Sequence, residues 1–173
     1  LILDITEHRL SATEETPAQI AVLMEAARVS EDRADDAEAA FTLVRRALLL
    51  DPSQDTTVSE IFRLAEKTRA WRPLADALRE CIDGRVDLAW ARALRFRMGA
   101  VLETHLDEAR AALEAYVHVG NQEPGDLESA KAVIRVAGKT SRWDAAARAL
   151  VEATRKRDVV EQSLVDAVEE AAL

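Results

Sequence analysis

An all-α fold of stacked helix pairs is what the sequence predicts, and three observations carry it. The stretch Asp55–Cys81 is written again 72 residues later as Leu127–Ala153, so that Arg63 matches Arg135, Ala65 matches Ala137, Lys67-Thr68 matches Lys139-Thr140 and Trp71 matches Trp143. Pro52/Pro124, Ala75/Ala147 and Leu78/Leu150 extend the match on both sides. Two apolar-periodic helices joined by a short turn and repeated at a fixed offset are the mark of a helical repeat array, because a single pair cannot bury its apolar face alone. Ala, Leu, Arg and Glu, all strong helix formers, dominate the chain. The five glycines and four prolines fall near turns or helix ends, with Gly99 and Gly138 as the exceptions. No strand is expected.

Taken in order, Leu1–Leu10 carries Leu1, Ile2, Ile5 and Leu10, a short helix equivalent to the second member of a pair. Thr16-Pro17-Ala18-Gln19 predicts a capped start, with proline in the first turn, for a helix through Ile20, Leu23, Met24 and Ala27 to about Ser30. After the acidic turn Glu31–Asp36, the residues Ala37, Ala40, Phe41, Val44, Ala47 and Leu48 define one face of a second helix, stopped by Pro52. Thr57-Val58-Ser59-Glu60 reads as the cap of the next helix; Trp71 opens its partner, and Gly84 closes it. Leu88–Glu103 and Asp107–Val119 form a third pair, ended by Gly120-Asn121. The fourth pair is Asp126–Lys139 with Ser141–Lys156, and Asp158–Glu161 caps a last helix. The reading is thus one domain over 1–173 with complete pairs at about 17–52, 55–84, 87–121 and 126–156, and half pairs at 1–10 and 158–173.

The net charge of −9 argues against general binding of nucleic acid or anionic membranes, which need a positive surface. No run approaches the roughly 18 apolar residues of a membrane span. The single cysteine, Cys81, cannot form an internal disulfide, which leaves the compartment open with a lean toward reducing, cytoplasmic conditions.

Ala40, Val44, Ala47 and Pro52 stand at the spacings of the second helix and terminal proline of the tetratricopeptide repeat (TPR), and the chain resembles that family over nearly its whole length. It is most similar to the degenerate tandem arrays of large bacterial TPR proteins. The family's first-helix Trp, Leu-Gly and Tyr are mostly absent, with Ile61/Ala65, Phe96/Ala100 and Val133/Ala137 in the leucine and tyrosine places. The resemblance implies a right-handed α-solenoid whose first helices line a concave, peptide-binding groove. Carrying the register over places Arg63, Lys67, Arg95, Met98, Lys131, Arg135 and Lys139 there. Residues four apart share a helix face, so the cations form stripes suited to an acidic peptide or a terminal carboxylate. The competing reading makes them exposed charges answered by Glu60, Glu66 and Glu128.

Nothing points to catalysis, a metal or a cofactor. His8, His105 and His118 are scattered, with no cysteine within local ligand spacing of any; Glu114 and His118, one turn apart, are two potential ligands where a structural site needs about four. Cys81 has no nearby histidine and reads as a packing residue. Glu31–Glu38 lacks the alternation and central glycine of a calcium loop, and its carboxylates suit the N-terminus of the helix that follows. Trp71 and Trp143 read as packing residues, and Trp90 as a contact residue. The expected function is a non-catalytic scaffold or adaptor that binds a peptide or partner protein. The alternatives are a spacer in a large bacterial assembly and the regulatory array of a signalling or transcription protein. The stripe Val159, Val160, Leu164, Val165 and Val168 leaves two expectations open, self-association or a continuing chain.

Overall fold

A computed structural model describes residues 2–84, 87–155 and 162–172. Among the described residues the chain is all-α, with no strand. In order the helices are α1 (Ile2–Ser11), α2 (Thr16–Ala34), α3 (Ala37–Leu50), α4 (Asp55–Thr68), α5 (Trp71–Asp83), α6 (Leu88–Thr104), α7 (Ala109–Gln122), α8 (Leu127–Thr140), α9 (Trp143–Arg155) and α10 (Gln162–Ala172). Where one domain is the expectation, the chain divides into two compact units, Leu1–Trp90 and Ala91–Leu173, with the boundary inside α6.

In the first unit α2 packs on α1 and α3, and α3 packs on both α4 and α5. Leu23, Leu43, Leu48, Ile61, Leu64 and Leu74 form its fully buried centre. Ion pairs tie the outer helices: Arg46 of α3 holds Glu7 of α1, and Arg45 of α3 donates to Glu80 of α5 at 3.2 Å. In the second unit α8 is central, packed on α7, α9 and α10, with Leu94, Leu102, Tyr116, Ile134 and Leu164 buried.

The two interior glycines each permit a close approach. A Cβ on Gly99 would stand 2.8 Å from Cε1 of Tyr116, whose ring fills that gap and lies 5.2 Å from Phe96. The positions 72 residues earlier hold Ala27 and Val44, so the larger residue on α7 is matched by a smaller one on α6. A Cβ on Gly138 would stand 2.5 Å from the carbonyl oxygen of Ala171, and this is how α10 reaches α8. Leu164 of the expected apolar stripe is buried; Val159, Val160 and the cap at Asp158–Glu161 lie outside the described residues.

Several helix ends differ from expectation. The N-cap of α2 is Glu15, with no side-chain bond, and Gln19 donates back to the Thr13 carbonyl at 2.8 Å. That helix runs to Ala34, so Glu31 and Asp32 belong to its last turns. Asp36 then caps α3, accepting from Ala39 N at 2.8 Å. Helix α4 begins at Asp55 without a side-chain cap, and Thr57 lies inside it, buried. Gly84 does cap α5, in an extended conformation. Helix α7 continues through Gly120 to Gln122, because the helix stops only at Glu123, ahead of Pro124.

The reversals within the pairs rest on residues in the left-handed region that are not glycine: Asp35 (φ 51°), Arg69 (φ 59°), Asp107 (φ 53°) and Ser141 (φ 56°). They fall into two sets at the sequence's own offset of 72, Asp35 with Asp107 and Arg69 with Ser141.

Candidate functional site

Five of the six basic residues expected to face a ligand are bound to glutamates of their own unit. In the first unit Glu31 lies in the last turns of α2 and accepts from Arg63 Nη1 at 3.0 Å and Lys67 Nζ at 2.9 Å, both on α4. Arg63 also donates to Glu60 at 2.7 Å. In the second unit Glu103 of α6 accepts from Arg135 at 2.7 Å and Lys139 at 2.8 Å, both on α8. Tyr116 of α7 adds its hydroxyl at 3.2 Å.

These carboxylates are well covered, with 15% of the Glu31 side chain exposed and 3% of Glu103. Hydrogen bonds from Arg63 and Lys67 pull the Glu31 carboxyl down to about 2. Burial pushes Glu103 up, but the bonds from Arg135 and Lys139 outweigh it and hold that carboxyl at about 2 as well. Glu31 and Glu103 are therefore ionised across the physiological range.

Of the residues expected to line a groove, Lys131, Arg135 and Lys139 do share α8, and Arg63 and Lys67 share α4. Lys131 pairs with Glu128 at 3.4 Å, as the competing reading has it, and Glu60 likewise meets Arg63. Arg95 has no ion-pair partner among the described residues. Met98 is only 8% exposed, and its side chain lies in the core of the second unit.

Glu31 and Glu103, the centres of both triads, are the residues that sequence reasoning missed. The signal was present, since they too stand 72 apart. Reading Glu31 as part of an acidic turn, and stopping the helix at Ser30, hid it.

The second unit also holds a feature that the periodicity did not announce. Between α7 and α9, floored by α8, lies an open, mostly apolar cleft of about 700 Å³. It exists because side chains are cut back at the positions that match the first unit. Where α3 has Leu48, α7 has Gly120; where α4 has Val58 and Ile61, α8 has Ala130 and Val133; where α5 has Cys81, α9 has Ala153. The four first-unit residues are buried. Their four counterparts line the cleft.

The change in charge follows the change in size. Arg45, which bridges α3 to α5 in the first unit, is matched by Val117, while its partner Glu80 is matched by Glu152. The cleft therefore keeps the carboxylate and lacks the cation. Glu152 has no ion-pair partner among the described residues, whereas the rim residue Arg148 is held by Asp144 at 2.8 Å. Val151, also on the lining, is 58% exposed.

Among the described residues no three His, Cys, Asp or Glu side chains stand together as a cation site. Cys81 is buried, its thiol 3.9 Å from the Leu48 carbonyl, and burial together with the charge of Glu80 pushes it up to about 11. Trp143 is exposed, and no described helix is long and apolar enough to cross a membrane. No family model matches the chain, and no curated protein matches it.

Proposed function

We propose that the chain is a TPR-like helical-repeat segment whose role is non-catalytic: it holds part of a partner protein, and the second unit is where it does so. The observation that supports this reading is the α7–α9 cleft. Apolar space of this size falls in the range of real binding sites, and water would fill it poorly. Alanine, valine and glycine make up most of its lining, and of the charged residues there Glu123, Asp126 and Arg148 are engaged by other groups of the chain, so it suits side chains delivered by another polypeptide.

The test is capture from an extract of the source cell by the immobilised chain and by its Gly120→Leu variant. A Cβ at Gly120 would lie 3.4 Å from Ser129 Oγ, at the near edge of ordinary contact, so a side chain can start there toward the cleft, and circular dichroism of the variant checks that it folds. A partner retained by the parent chain and lost by the variant is the expected result; equal recovery by both would overturn the role of the cleft.

A second reading keeps an acidic ligand on α8, and one observation favours it. Glu103 is shared by two cations, which leaves an excess of positive charge beside Lys131. Lys131→Ala tests it cleanly because Lys131 does not hold Glu103, whereas reversing Arg135 or Lys139 would break the triad. Loss of an acidic partner in that variant, with the Gly120→Leu variant still binding, would favour α8.

A further inference from the structure

The cleft carries more information than its size, because the chain contains its own filled version. We infer that its occupant is a segment carrying an aliphatic side chain and a lysine or arginine about one helical turn apart, the aliphatic group entering over Gly120 and the cation meeting Glu152. This rests on the reading of the cleft as a partner-binding site and names the chemistry of that partner.

The argument begins with what was removed. In the first unit one helix supplies both groups: Leu48 is buried and Arg45, three residues before it, reaches Glu80. Residues three apart lie on one face of a helix, so a single turn delivers an aliphatic group and a cation together. The second unit has lost both, as Gly120 and Val117, and kept the carboxylate as Glu152.

Among the described residues, the surrounding charges leave Glu152 as the group for an incoming cation. Asp126 is engaged as the cap of α8, accepting from Ser129 N at 3.1 Å, and Glu123 is held by Arg92. Arg148, the cation on the rim, is already answered by Asp144. An acidic segment would bring like charge to Glu152, which is unfavourable across a partly desolvated contact. A neutral apolar segment would leave Glu152 beside the contact without a partner.

The probe is a fluorescein-labelled, end-capped helical peptide in an Ala/Gln host with one Leu and one Arg three positions apart, alongside a version with Glu in place of Arg. Binding is read by fluorescence anisotropy at low salt. The parent chain should prefer the Arg peptide by tenfold or more. The Gly120→Leu variant should lose binding at least tenfold. The Glu152→Lys variant should reverse the preference, binding the Glu peptide more tightly than the Arg peptide. Circular dichroism and melting of each variant establish that it folds, and the reversal is a gain that misfolding cannot imitate.

No binding of either peptide at millimolar concentration, or equal binding of both, would overturn the inference. If extract capture is still lost in the Gly120→Leu variant under those conditions, binding at the cleft stands and only the assigned chemistry falls. If capture is unchanged, both fall.

Discussion

Glu103 shows how a single side chain can look like part of a surface in the sequence and act as an interior tie in the fold. It is covered, yet both its cations lie at the surface, so the strength of the triad is moderated by solvent. Glu103→Gln should lower stability at pH 7 by about 1–2 kcal/mol in urea denaturation, and Glu31→Gln, at a more exposed site, by less. The effect has a defined pH window. Both carboxyls sit near 2 in the folded chain, against about 4.3 for an unperturbed glutamate, so the folded state takes up their protons less readily than the unfolded one. Their stabilisation is complete above about pH 4.3 and is lost as the pH falls through 2, and the gap between parent and Gln variants should close over that interval. Cys81 supplies a second check: with its thiol pushed up to about 11 and buried, it should resist a disulfide reagent at pH 8 until denaturant is added.

At the scale of the helices, the pairing of Gly99 with Tyr116 makes a prediction that can be undone. The Tyr116 ring is confined by burial and by its bond to Glu103, so Gly99→Ala should destabilise by about 1–3 kcal/mol despite the better helix propensity of alanine. Adding Tyr116→Val restores the Ala27/Val44 combination of the first unit, and the double variant should recover much of the loss, measured as a coupling in a double-mutant cycle. The helices themselves were legible because Leu, Ala and Val recur on one face, and most boundaries fall within a few residues of those read from the sequence. What was not legible had specific causes. Gly120 carries the usual signal of a helix end, but the stop comes only at Glu123, so a residue read as punctuation became a gap in a wall. The left-handed residues Asp35, Arg69, Asp107 and Ser141 bear no glycine to announce them. The triads escaped because ion pairs between helices more than 30 residues apart have no local pattern, and only the 72-residue offset applied to the glutamates would have shown them.

Across the whole molecule, the two units are similar in sequence and unequal in packing. Helix α5 buries Leu74, Ala75, Ala77, Leu78, Cys81 and Ile82, whereas in α9 Ala145, Ala146 and Ala153 are the buried apolar residues. Less apolar surface removed from water means a lower free energy of local opening. Backbone amides of α9 should therefore exchange with deuterium faster than those of α5 in the free chain. Addition of a peptide that fills the cleft should slow α9 and leave α5 unchanged, a pattern that global stabilisation would not produce.

The left-handed turns have a further consequence, in chemical durability. Such positions are commonly filled by asparagine or glycine, and asparagine is among the residues that degrade in heat. Here Asp, Arg, Asp and Ser occupy them, and the lone asparagine of the chain, Asn121, is held inside α7. Ageing at neutral pH and raised temperature should thus generate few acidic charge variants, because the pair turns carry no amide side chain to deamidate.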